Sequence, residues 1–152
     1  MAFNILLMAA TLIQHSTFNI QNNPVILFDG VCNLCNSTVQ FILRKDKKKQ
    51  FVFGSIQGKS GQELMREYNL PLDTMGSFIL IENGIAYTRS TGALKVLKLL
   101  GWPWKSSYAF IIIPAFIRNF IYDFIARNRY RWFGKQDACW LPTPELKNRF
   151  LD

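Results

Sequence analysis

Residues 26–43 read ILFDGVCNLCNSTVQFIL, and the order of features in them narrows the fold more than anything else in the chain. Val25 to Phe28 is a short all-apolar run bounded by Pro24 and by Asp29-Gly30, the pattern of a strand buried on both faces. From Asn33 to Asp46 the apolar positions Cys35, Val39, Ile42 and Leu43 recur at helical spacing. Where strand gives way to helix stand Cys32 and Cys35, spaced C-x-x-C. A structural cysteine needs no such setting and a metal knuckle needs two more ligands, whereas a redox dithiol needs a strand, a turn and a helix start in that order.

The rest of the chain extends this unit. QFVFGS (50–55) predicts a second strand. SGQE (60–63) places Ser three residues before Glu, the capping-box pattern, and predicts a helix to about Asn69 with Leu64, Met65 and Tyr68 on one face. In SFILIENGIAYT (77–88) two strand-like runs flank Asn83-Gly84, a pair suited to a turn with two positive φ values, which predicts an antiparallel hairpin. A helix from Thr91 to Leu100 follows, ended by Gly101 and Pro103. The remainder reads as helices, the last starting at Thr143-Pro144. The apolar stretch 108–126 is interrupted by Pro114, Arg118 and Asp123, so it predicts a buried or surface-lying helix rather than a membrane span.

Strand-helix-strand implies a parallel pair with a right-handed crossover. Adding the hairpin gives an α/β fold of thioredoxin type: a mixed four-stranded sheet with helices on both faces and a helical C-terminal extension. The chain has 152 residues, which suits one such domain, assigned to residues 24–152. Residues 1–23 begin with an apolar run that has no basic residue before it and no clear cleavage site; they are expected to be a leader or disordered extension, with Met8 an alternative start.

The chemistry follows from the position of the dithiol. A thiolate is the nucleophile in disulfide exchange, and a helix N-terminus presents unpaired amides and partial positive charge. Cys32 is expected to be the exposed nucleophile and Cys35, one turn further in, the resolving thiol, with exchange passing through a covalent intermediate. Gly30 is expected to allow positive φ or a close approach in the turn. Asp29 carries two readings: its carboxylate accepts turn amides, or it exchanges a proton with Cys35. The first is favoured.

Three cysteines, an odd number with two of them adjacent in space by spacing, do not make a secreted disulfide framework; they fit a reducing, cytoplasmic setting. With 49% hydrophobic residues the chain needs no staples. The net charge of +8 gathers in RKDKKK (44–49) and RNRYRWFGK (127–135). The first is read as a solvated helix end and the second as an amphipathic helix whose Arg heads reach water. Zinc is the main rival to redox chemistry, but only Cys139 and His15, at opposite ends of the chain, could complete a four-ligand site. Cys139 is read as a small buried residue, with a third thiol serving the dithiol as the alternative. Trp102 and Trp104 are read as packing residues.

DGVCNLC (29–35), after VILF, resembles the signature of the DCC family of thiol-disulfide oxidoreductases, whose Asp-Cys-Cys pattern Asp29, Cys32 and Cys35 match. STG (90–92), ARNRYRWFG (126–134) and DAC (137–139) also look like family sequence, so the resemblance runs from about residue 24 to the end. It implies a thioredoxin-like fold and activity of the protein-disulfide reductase type. It also draws Arg127, Arg129 and Tyr130 toward the dithiol or a ligand groove as supporting residues. One departure from thioredoxins is that LDTMGSF (72–78), just before the hairpin, lacks their cis-proline, and Pro71 lies too early to replace it.

The reading is thus a thiol-disulfide oxidoreductase that requires no metal or organic cofactor. Its partners would be a disulfide-containing protein or small-thiol substrate and an electron donor, a small thiol or another dithiol protein. Nucleic acid is not expected, contact with a membrane surface is left open, and the oligomeric state is not legible. The alternatives are a zinc-stabilised module and a basic-surface binding module without redox turnover.

Overall fold

The computed structural model describes residues 23–71, 78–135 and 143–151. The elements come in the order β1 (Val25–Phe28), α1 (Asn33–Lys45), β2 (Val52–Ser55), α2 (Lys59–Glu67), β3 (Ile79–Glu82), β4 (Ile85–Thr88), α3 (Arg89–Leu99), a run of 3-10 turns (Trp104–Ile112), α4 (Ala115–Phe133) and a short 3-10 turn (Lys147–Arg149). The sheet order is β2-β1-β3-β4. β1 pairs parallel to β2, with Val25 beside Val52, and antiparallel to β3, with Val25 beside Ile81; β3 and β4 pair antiparallel. This is the mixed four-stranded, thioredoxin-like α/β sheet expected from the element order.

β1 is one of the two inner strands, with β3, and all four of its residues are buried. Because successive strand side chains point to opposite faces, the core splits in two. Ile26, Phe28, Phe53 and Leu80 pack with Val39 and Ile42 of α1 and Val96 of α3. Val25, Leu27, Val52 and Ile79 pack on the other side with Leu64 and Met65 of α2. The hairpin turns at Asn83 (φ 51°) and Gly84 (φ 76°), as the Asn-Gly pair demands.

The open edge of β2 is closed by the chain's end. Phe150 bridges to Phe53, and the Leu151 amide donates to the Phe53 carbonyl at 2.8 Å. A covered edge cannot template pairing with another chain.

Several local expectations differ from what forms. The second helix is capped at Gly58, not Ser60, and Ser60 lies inside its first turn. The third starts at Arg89, two residues before Thr91. Thr143-Pro144 opens a turn, with the Thr143 carbonyl accepting from Leu146 and Lys147, rather than an α-helix. Residues 108–126 are 3-10 turns up to Ile112 and α-helix only after Pro114, whose ring and missing N–H divide the stretch. That helix lies at the surface: Phe116, Phe120 and Phe124 are exposed. Among the described residues no helix is long and apolar enough to cross a membrane. Trp104 does pack, edge-on against Phe41 at 4.9 Å, but Trp102 is 80% exposed. Residues 1–22, 72–77 and 136–142, with the expectations for the leader, for His15, for the missing proline and for Cys139, lie outside the described residues.

Candidate functional site

Cys32 is the N-cap of α1, with extended backbone (φ −83°, ψ 125°), and its carbonyl accepts the first helical bond from Asn36 at 3.0 Å. No side chain caps this helix and no acidic residue lies in its first turn, so no side chain of the helix itself offsets the partial positive charge of its start. Cys35 follows one turn on, and both cysteines are free thiols.

The expectation of an exposed Cys32 is overturned: it is wholly buried. The end of α4 returns over it. Cys32 forms a β-bridge with Lys135, the Asn33 amide donates to the Gly134 carbonyl at 3.4 Å, and Asn33 Nδ2 donates to the Phe133 carbonyl at 2.8 Å. Gly134 makes the turn at φ 86°, where a Cβ would meet Asn33 Nδ2 at 2.9 Å. Cys35 is the half-buried member of the pair and lines a cavity. Burial, then the neighbouring Cys32, push the Cys35 thiol up to about 12; a hydrogen bond with Cys32 and the charge of Asp29 add to this, and the nearby Arg129 guanidinium pulls the other way.

Asp29 sits beneath this turn, 2% exposed, and its carboxylate is fully engaged. Oδ1 accepts from the Val31 amide at 3.1 Å and from Gln57 Nε2 at 2.6 Å. Oδ2 accepts from Arg129 Nη2 at 2.7 Å and from the Tyr130 hydroxyl. The turn-amide reading of Asp29 therefore holds, in a larger network than a local turn. The Tyr130 hydroxyl is pushed up by burial and by its bond to Asp29, against the pull of Arg129. Burial alone would lower the Arg129 pKa, but the Tyr130 hydrogen bond and the negative charge of Cys35, Tyr130 and Asp29 outweigh it and the net shift is upward.

Arg129 and Tyr130 are thus brought to the dithiol from α4, and Arg127 is not: it is exposed on the other side of that helix. The reading of 127–135 as a helix with all its Arg heads in water fails at Arg129, which is 3% exposed. Gly30 does not take positive φ. It is buried with both backbone groups held, its amide donating to Gln57 Oε1 at 3.0 Å and its carbonyl accepting from Asn36 Nδ2 at 3.0 Å. Gln57 and Asn36 were not singled out from sequence. Asn36 lies on the same helix face as Val39, and a polar residue on that inner face, next to the second cysteine, was the available signal. Gln57 lies in the turn after β2 and gave none.

Among the described residues no cluster of three or more His, Cys, Asp or Glu is placed to hold a metal ion.

Comparison with known proteins follows the same residues. The family model for DCC1-like thiol-disulfide oxidoreductases matches residues 26–135, which contain the dithiol, Asp29, Arg129 and Tyr130. The chain is 49% identical over 129 residues to uncharacterized protein YuxK of Bacillus subtilis (strain 168), spanning 85% of this chain and 94% of that one. It is 36% identical over 127 residues to a chloroplastic DCC family protein, At1g52590, of Arabidopsis thaliana, spanning 83% of this chain and 74% of that one. No solved structure matches.

Proposed function

This chain belongs to the DCC1-like thiol-disulfide oxidoreductase family, and on that premise we propose that Cys32 and Cys35 reduce substrate disulfides, with Cys32 attacking and Cys35 resolving. The observation that carries this reading is a free dithiol spanning the first turn of α1, which no side chain caps, set over the buried Asp29–Arg129 pair and its partner Tyr130.

The roles follow from what each sulfur can do. Cys35 holds its proton at neutral pH, so it is poorly suited to begin the attack. Cys32 is better placed, at the helix start, but attack on an external disulfide requires residues 133–135 to lift. That cover rests on few hydrogen bonds, the kind of segment that opens at low cost. The Cys32 thiolate then attacks a substrate sulfur, forms a mixed disulfide and expels one substrate thiolate. Cys35 loses its proton as it attacks the Cys32 sulfur, closes the protein disulfide and releases the second thiolate. Two electrons pass to the substrate, and the two protons lost by the cysteines balance the two thiols formed. A small thiol or a dithiol protein would restore the reduced pair.

Asp29 is an organiser in this scheme rather than a base, since four donors already occupy its oxygens. Arg129, close enough to ease Cys35 ionisation, is a positioning residue.

Trapping tests the assignment. Cys35→Ser incubated with a peptide disulfide should accumulate a mixed disulfide at Cys32, seen by mass spectrometry, while Cys32→Ser should accumulate none. Trapping at Cys35 instead would reverse the roles, and trapping at neither would remove the redox reading.

A further inference from the structure

A cavity of about 260 Å³ opens beside the dithiol, between α1, α3 and α4. It is half open to solvent, and an apolar recess of this size beside a reactive pair is large enough to take a small molecule. Its described walls are almost wholly apolar, with Phe41, Ile42, Phe78, Val96, Leu97 and Ile125 among them. Cys35 forms one part of the wall and Arg129 another.

Arg129 supplies the second observation. It is 3% exposed, yet only Nη2 is hydrogen-bonded, to Asp29 and Tyr130. Nε and Nη1 are buried with no hydrogen-bond partner. A buried donor on a charged group left unsatisfied is costly, and native structures rarely keep one without a reason. A guanidinium has only donors, so what completes it must be an acceptor.

We propose that this cavity is a binding site for a small apolar molecule carrying an oxygen acceptor, whose apolar body fills the space against Cys35 while its oxygen draws the Arg129 guanidinium, whose free Nε and Nη1 are otherwise sealed from solvent, to turn toward it. A cavity of roughly 150 Å³ holds benzene. The space here therefore takes a larger body, a two-ring system or a medium-length chain. The site deepens the redox reading, because its occupant would touch the resolving thiol, but binding does not depend on turnover. The oxygen could belong to a carboxylate or to a ketone carbonyl, and the same N–H groups serve both.

The test is titration of the full-length reduced protein with decanoate, with 2-undecanone and with decyltrimethylammonium, followed by calorimetry and by backbone amide shifts. At least one oxygen-bearing probe should bind and move the amides of Leu34, Cys35, Ala93 and Ala126, and decyltrimethylammonium should not. Decanoate alone would identify a carboxylate ligand, and 2-undecanone a carbonyl one. Filling the cavity from either wall, with Ala93→Phe or Ala126→Phe, should weaken binding by about tenfold or more. The proposal is overturned if neither oxygen probe binds, if the ammonium probe binds equally well, or if a folded, filled variant binds unchanged. Should neither filled variant fold, the location of the shifts in the wild-type protein decides. Loss of disulfide exchange with binding intact would sink the redox reading alone.

Discussion

Asp46–Arg149 and Asp29–Arg129 are both buried ion pairs, and they sit at opposite ends of α1, each tied to a residue 100 or more positions later. At the C-terminal end of the helix no buried polar side-chain atom of the pair is left without a partner. Asp46 accepts from the Gln50 and Phe51 amides at 3.3 and 3.1 Å and from Arg149, and Arg149 also donates to the Phe51 carbonyl from Nε and Nη2, both at 3.3 Å. At the N-terminal end, under the dithiol, Asp29 is saturated but its arginine is not: two of the three guanidinium nitrogens have no partner. The first pair fastens the chain's end to β2 and to the helix terminus. The second holds a cation at a reactive turn with donors to spare, an arrangement that costs stability and makes sense where chemistry or a ligand needs it.

The comparison can be broken by substitution. Arg149→Met should be the most damaging change, about 3–5 kcal/mol by urea denaturation, because it leaves the Asp46 carboxylate buried without its cation. It should leave exchange at the dithiol unaltered in whatever fraction folds.

Arg129→Met should cost less, about 1–3 kcal/mol, since Asp29 keeps three donors and two unpartnered nitrogens disappear with the side chain. Its larger effect should be on chemistry. Without the guanidinium, Cys35 is harder to ionise, so release of a substrate held on Cys32 should slow by about tenfold, the equivalent of one pKa unit. Equal stability losses with equal rates in the two variants would erase the distinction between the pairs.

Tyr130→Phe removes one donor to Asp29 and should cost about 1.5 kcal/mol, the worth of a hydrogen bond to a charged group.

The smallest effect is in pH. The Cys35 thiol has an ordinary value of 9.0 and is raised to about 12 in the fold, so the folded state keeps a proton that the unfolded chain gives up. Stability from this group is intact below about pH 9 and is lost as pH rises from there toward 12. The reduced wild type should therefore lose stability faster than Cys35→Ala across that window, and parallel curves would contradict the shift.

The sheet was legible because its signals are local. Four apolar residues ending in Asp29-Gly30, and Asn83-Gly84 between two alternating runs, each fix an element without help from distant residues. Cys32, Cys35 and Asp29 were legible for the same reason, lying within seven residues. What sequence order hid was long-range pairing. By composition alone Arg129 reads as one of several exposed helix cations; the family resemblance drew it toward the dithiol together with Arg127, and only the packing of α4 against α1 separates the two, just as nothing in RKDKKK distinguishes Asp46 from its solvated neighbours until Arg149 meets it. The burial of Cys32 has the same origin, since Gly134 and Lys135 cover it from about a hundred positions away.

The central claim, that Cys32 and Cys35 act as one reversible two-electron couple, is tested most directly by equilibrating the pure protein in graded glutathione buffers, alkylating the free thiols and reading masses. The account predicts that both cysteines leave the alkylated pool together as an intramolecular disulfide and return as the buffer is made reducing, with a single midpoint approached from either direction. A Cys32 and Cys35 that stay alkylatable throughout, or that oxidise independently of each other, would contradict it.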